Sequence, residues 1–246
     1  MTEVYNQILA KYNQKEKQLA FLIDPDKFPV ERMAELHALL KKVRPDLLLV
    51  GGSLISVDTS AFISELKRFV DLPVILYPGS SSQICKEVDA VLFLSLISGR
   101  NPEFLISHHV TAAPLLKSCN IEAISTGYML IDGGSGTSVQ YISQTQPIPA
   151  NKNDIAVATA LAGQYIGMKM IYMDAGSGAQ KPVSEAMISA VKKQIDIPLM
   201  VGGGLRSVEA IARACEAGAD IIVIGNALEQ DLSLLTDFYH TVKAIV

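Results

Sequence analysis

The chain of 246 residues has no tryptophan and only three cysteines, Cys85, Cys119 and Cys215. The cysteines are odd in number, widely spaced and without a C-x-x-C pair, so they read as buried free thiols in a reducing cytosol. No uninterrupted apolar run reaches the ~18 residues that a membrane-spanning helix needs. No basic stretch precedes an apolar one at the N-terminus, so no secretory signal is expected. Positive charge is not in excess either. Lys and Arg number 21 against 25 Asp and Glu, a net charge of −4, which speaks against a nucleic-acid surface. What the chain does have is apolar content, 49% of its residues. Its mean hydropathy is positive, which fits a large core or an apolar groove at the surface.

The last third carries the strongest signal. Three glycine-bearing segments each follow an apolar run: Tyr172 to Gly178 after Met170–Met173, Gly202-Gly203-Gly204 after Leu199–Val201, and Gly225-Asn226 after Ile221–Ile224. Continuous Val/Ile/Leu runs are typical of buried parallel strands. Glycine just past a strand lets backbone N–H groups approach a ligand with no Cβ in the way. Successive N–H groups leading into a helix make an anion site. In an eight-stranded α/β barrel the loops after strands seven and eight are the usual phosphate cradle. Tight βα turns would also place glycine here, but three such turns in succession match one phosphate site.

Upstream, strand and helix signals alternate. A polar helix is expected over 3–17, then strands at 19–23, 47–50, 74–77, 91–94 and 121–125. Helical spacing of Val30, Met33, Leu36, Leu39, Leu40 and Val43 marks the first crossover helix. Residues 80–87 look too short for a full helix. The 131–153 stretch is glycine- and proline-bearing and irregular, and long irregular loops in a compact domain are usually functional. Ser207 is the expected N-cap of a late helix, with Glu209 in its first turn. Eight strands with crossovers and no linker predict one (β/α)8 barrel domain over residues 1–246, with one barrel helix irregular or missing. An open doubly wound sheet would normally put its phosphate loop after the first strand.

The working face of such a barrel lies at the C-terminal ends of its strands. There the sequence places Asp24-Pro25-Asp26-Lys27, Ser53, Tyr172, Asp174, Ser177 and Asn226. Acidic and hydroxyl oxygens at one mouth suit a hard cation such as Mg²⁺. Asp and Pro equally favour caps and turns, so Asp24-Pro25-Asp26 alone leaves both readings open.

Taken in order, Ile23 to Lys27, Gly51-Gly52-Ser53, Tyr172 to Gly178, Val201 to Gly204 and Ile224-Gly225-Asn226 resemble the geranylgeranylglyceryl phosphate synthase family. The Tyr-x-Asp-Ala-Gly-Ser-Gly form is similar to the family's second subgroup. The resemblance covers nearly the whole chain. It implies a TIM-barrel prenyltransferase that joins C1 of geranylgeranyl diphosphate to the 3-hydroxyl of sn-glycerol 1-phosphate, giving an isoprenoid ether lipid precursor and releasing diphosphate. It further implies that Asp24 and Ser53 hold Mg²⁺. Glycerol 1-phosphate would be bound by Tyr172, Met173, Asp174, Ala175, Gly176, Ser177, Gly178, Gly203, Gly204, Gly225 and Asn226. Asp174 would be the base and Tyr172 its positioning partner. Two positions depart from other members: Leu22 stands where the other subgroup has lysine, and Asp174 where many members have glutamate. A cytoplasmic homo-oligomer without nucleic-acid partners is expected.

A prenyl chain needs an apolar groove, for which Leu92–Ile97 and Phe104–Ile106 are the candidates. In the resembling synthases for C20 chains a bulky aromatic occurs near this point, so the resemblance implies that Phe104, the large aromatic of a segment without tryptophan, limits chain length. His108 and His109, past the strand end, read as structural or exposed, and Lys181 as either a phosphate contact or a solvated side chain. The competing readings are a phosphosugar isomerase or cyclase of the phosphoribosyl-binding type, and a non-catalytic phosphometabolite sensor.

Overall fold

The computed structural model describes residues 3–245. The chain begins with helix α1 (Glu3–Asn13). Eight strands follow: β1 (Gln18–Ile23), β2 (Leu47–Gly52), β3 (Val74–Pro78), β4 (Ala90–Leu96), β5 (Glu122–Leu130), β6 (Met170–Asp174), β7 (Leu199–Gly202) and β8 (Ile221–Ile224). Every neighbouring pair is parallel, and β8 returns to β1 with Ala20 opposite Val223, so the sheet closes as a barrel in sequence order. Between and after the strands run α2 (Met33–Leu40), α3 (Thr59–Leu66), α4 (His108–Ser118), α5 (Ser138–Ser143), α6 (Asn153–Tyr165), α7 (Glu185–Lys192), α8 (Val208–Glu216), α9 (Asn226–Gln230) and α10 (Leu234–Lys243). Among the described residues no helix is long and apolar enough to cross a membrane.

The two-residue period of a strand divides the core into two layers. On β6, Met170 and Tyr172 face the barrel interior, while Ile171 and Met173 pack outward against helices. Helix α1 seals the N-terminal end, adding Val4 and Ile8 to the interior layer. Its free N–H groups are met by Glu122 at the start of β5, which accepts from Val4 N at 2.8 Å and Tyr5 N at 3.0 Å. The helix stops at Asn13, short of the expected residue 17, and Lys15 turns into the left-handed region at φ 60°.

Two departures from ring symmetry shape the molecule. Between β3 and β4 there is only a single 3₁₀ turn, Ser81–Gln83, where a barrel helix would stand. Five residues, Glu103–Ser107, then wind with wider π-helical pitch into α4. Together they leave the outer side of β4 open toward α4.

Strand β5 runs to Leu130, not to the expected residue 125. The strand continues through Gly127. The glycine is there for packing: a Cβ at 127 would lie 2.8 Å from Ile97 Cδ1 and 3.0 Å from Ile171 Cδ1. The irregular 131–153 stretch holds only the short α5, capped by Thr137, and a bridge between Ile131 and Ile148. Ser207 does cap α8, accepting from Ala210 N at 3.3 Å.

Candidate active site

At the C-terminal ends of the strands lies an open cavity of about 290 Å³. Asp24, Ser53, Tyr172, Asp174, Gly176, Ser177, Gly178, Gly203, Gly204, Gly225 and Asn226 all line it. Phe104 lies outside it, in the neighbouring cleft. Met173 and Ala175 do not reach the cavity. Both are buried in the outer layer against helices, Met173 because it follows the inward-facing Tyr172 by one strand residue.

The glycines of the β6, β7 and β8 ends form one surface. Gly176, Gly178, Gly203 and Gly204 have φ between 72° and 87°, a region that side chains other than glycine rarely adopt. At Gly203 a Cβ would also lie 2.5 Å from Asp174 Oδ1 and 2.6 Å from Gly176 N. Ser177 Oγ donates to Asn226 Oδ1 at 3.1 Å, tying the β6 loop to the end of β8. The result is a concave stretch of backbone with no side chain over it, suited to an anion. Arg206 faces the same cavity, with its Nη2 donating to Ala179 O at 2.9 Å. Lys181 is exposed and is not part of the cavity wall, so it is a solvated side chain.

Asp174 lies beneath this surface and is 6% exposed. Its Oδ2 accepts from Tyr128 Oη at 2.6 Å and its Oδ1 from Gly176 N at 2.8 Å. Burial raises the Asp174 carboxyl above the ordinary aspartate range, and hydrogen bonds from Tyr128, Gly176 and Tyr77 work against that rise. Tyr128, Tyr172 and Tyr77 cluster at the carboxylate with centroids 5.3 to 6.5 Å apart, Tyr172 edge to face with the other two. Burial and the Asp174 charge hold all three phenols well above their ordinary value, so they are neutral donors.

Across the mouth, Asp24 Oδ2 pairs with Lys27 Nζ at 2.6 Å. Asp24 N donates to Glu229 Oε1 at 3.1 Å, and burial raises the Glu229 carboxyl despite the nearby Lys27. Asp26 also lines the mouth, but its carboxylate accepts from Ser56 N at 2.9 Å and Val57 N at 3.0 Å, which ties it to the turn after β2. Opposite Asp24, Gly52 leaves room, since a Cβ there would stand 3.5 Å from Asp24 Oδ2. Among the described residues no three His, Cys, Asp or Glu side chains gather as a metal cluster. The Asp24 carboxylate and Ser53 hydroxyl are nonetheless hard oxygen donors on one cavity wall. They fit a cation that keeps waters and shares itself with substrate phosphate.

Where the barrel helix is missing, a narrow apolar cleft of about 90 Å³ runs from the mouth between β4 and α4. Leu92, Phe93, Leu94 and Leu96 line it from the strand, as the sequence suggested, and Phe104 enters from the wide-pitch segment. His108 and His109 line it too. His108 stacks edge-on against Phe104 at 5.1 Å, and His109 against Phe93 at 4.4 Å. His109 Nε2 lies 3.1 Å from Ser95 Oγ, and burial lowers its pKa, so it is a neutral wall residue.

A profile described as the PcrB family matches residues 12–245. The chain belongs to the PcrB family. A relative from Chitinophaga pinensis named geranylgeranylglyceryl phosphate synthase is 48% identical over 98% of this chain and 96% of its own. One of the same name from Pyrococcus furiosus is 42% identical over 87% of this chain and 86% of its own. The crystal structure of (S)-3-O-geranylgeranylglyceryl phosphate synthase from Thermoplasma acidophilum, in complex with substrate sn-glycerol-1-phosphate, superposes with TM-score 0.92 at 34% identity, covering all of both chains.

Against that membership of the PcrB family, four wall residues were not found by sequence reasoning. Tyr128 was hidden by the early end assigned to β5. Tyr77 read as an ordinary strand residue. Arg206 and Glu229 follow their strands by several positions, where a census of strand-end residues does not reach.

Proposed function

We infer that this PcrB-family chain is a prenyltransferase that joins geranylgeranyl diphosphate to the 3-hydroxyl of sn-glycerol 1-phosphate. One observation carries the reading. The polar mouth and the apolar cleft are contiguous, sharing Ser53, Tyr77, Tyr128 and Val139 as common wall. A phosphorylated acceptor held by the glycine surface would therefore present its free hydroxyl to the head of a chain lying in the cleft. A phosphosugar isomerase would leave that cleft without a use. The relatives named geranylgeranylglyceryl phosphate synthase support the same assignment.

The chemistry follows from placement. The backbone cradle holds the acceptor phosphate, and Tyr172 and Asp174 lie on its floor. Asp174 takes the proton of the acceptor hydroxyl as its oxygen bonds to C1, while the C1–O bond to diphosphate breaks. Burial raises the Asp174 carboxyl, which makes it a stronger proton acceptor than an ordinary aspartate. Asp24 and Ser53 would hold Mg²⁺, whose charge stabilises the departing diphosphate. Phe104 would meet the far part of the chain and limit its length.

Turnover assays with and without exhaustive chelation test the reading. Product should form with Mg²⁺ and sn-glycerol 1-phosphate, and fall away on chelation. Full activity after chelation would remove the metal from the account, and no product with any prenyl diphosphate would remove the activity.

A further inference from the structure

The interior of the barrel near its mouth contains one buried carboxylate with a dedicated side-chain donor. Tyr128 is itself 4% exposed. It stands on β5 in register with Tyr172 on β6, two residues before Leu130 meets Asp174. From that position its hydroxyl donates to Asp174 Oδ2 at 2.6 Å, at the short end of charge-assisted hydrogen bonds. The other oxygen of Asp174 is fixed by Gly176 N at 2.8 Å. Tyr77 adds a third, smaller hydrogen-bond contribution. These donors fix the plane of the carboxylate, and of its about four lone-pair sites at least one is left to accept from a substrate hydroxyl.

We propose that Tyr128 is a positioning residue for the reaction, holding Asp174 ionised and aimed at the acceptor hydroxyl. The proposal rests on the reading of Asp174 as the base. The groups facing Asp174 are few. β3 contributes Tyr77, β5 contributes Tyr128, and its own strand contributes Tyr172. β7 brings only glycine backbone, with Ala175 N donating to Gly202 O at 3.1 Å beside the carboxylate. None of these groups is a cation, so hydrogen bonds are the means by which the fold stabilises charge at this point. Tyr128 also lies in the wall shared by mouth and cleft. Its ring is packed by Tyr172 and Tyr77 whether or not the hydroxyl is present, so the phenol oxygen is a separable part of the residue.

The separable test is Tyr128→Phe in the full chain, which keeps the ring and removes the donor. A hydrogen bond to a charged group is worth about one pKa unit. The acid limb of kcat/KM should therefore move up by about one pH unit. At neutral pH kcat should fall by about tenfold or more, within the range for an impaired general base. KM for glycerol 1-phosphate should hold, because the glycine backbone and not Tyr128 carries the phosphate. Asp174→Asn, measured alongside, separates the two ideas. If Asp174→Asn keeps wild-type kcat, the base assignment fails, and the positioning role fails with it. If Asp174→Asn is inactive while Tyr128→Phe keeps both wild-type kcat and the wild-type acid limb, only the positioning role is overturned. A Tyr128→Phe protein with lowered melting temperature but an unmoved pH profile would also overturn it, since packing alone does that.

Discussion

Lys27 Nζ stands 2.6 Å from Asp24 Oδ2, closing an ion pair across the first turn after β1. Lys27 is half exposed, so the pair contributes little to stability. Its consequence is positional: it holds the Asp24 carboxylate at the mouth, beside Gly52. Asp24→Ala should abolish turnover while leaving the melting temperature within a few degrees. Calorimetry should show diphosphate affinity lost with Mg²⁺ present and glycerol 1-phosphate affinity retained, since the cradle lies on β6 to β8. The reverse pattern would exchange the two subsites.

Asp174 gives a prediction about pH and stability. Its pKa in the folded protein is raised, chiefly by burial. A raised carboxyl stabilises the fold while protonated, and that contribution is lost as pH rises through the folded value. The wild-type protein therefore carries a buried charge at neutral pH that Asn would not. Asp174→Asn should be inactive yet melt higher at pH 7, by about 2–4 °C for each kcal/mol relieved. The gain should vanish below the ordinary aspartate range, where both side chains are neutral. Thermal melts of the two proteins from pH 3.5 to 8 measure the crossover, and an equal or lower melting point at pH 7 contradicts it.

Gly203→Ala places a methyl 2.5 Å from Asp174 Oδ1 at φ 78°. Left-handed backbone at a non-glycine residue costs about 1–3 kcal/mol. The variant should fold with a lower melting temperature, and KM for glycerol 1-phosphate should rise at least about tenfold, the equivalent of ~1.4 kcal/mol. Steady-state kinetics with saturating donor read this directly, and an unchanged KM would take Gly203 out of the cradle.

These sites differ in how visible they are in sequence. The ends of β1, β2, β6, β7 and β8 were legible because glycine or Asp-Pro follows each apolar run. The absent helix between β3 and β4 was legible because residues 80–87 are too few for a full helix. Tyr128 was not, because the strand was ended at residue 125 while β5 runs on through Gly127 to Leu130, and a glycine in a strand is no sign of where it stops. Glu229 and Arg206 reach the mouth from beyond the strand ends, and only the closed barrel brings them there. Met173 was credited with a ligand role by its motif, yet the strand period turns it outward.

Phe104 meets His108 at 5.1 Å on the cleft wall. Phe104→Ala should open the cleft and shift the C35 to C20 ratio of kcat/KM by about tenfold or more, because each buried CH₂ is worth ~0.8 kcal/mol. A drop in melting temperature with donor preference unchanged would make Phe104 a packing residue only.

The central claim is that one contiguous mouth and cleft unite a glycerol phosphate with a C20 chain. Mass spectrometry of the product tests it most directly, with the wild-type protein given Mg²⁺, sn-glycerol 1-phosphate and an equimolar mixture of C15, C20, C30 and C35 diphosphates. The account predicts geranylgeranylglyceryl phosphate as the dominant product, with diphosphate released in equal amount. A dominant C35 ether would contradict the donor assignment at Phe104, and the absence of any ether product would contradict the account as a whole.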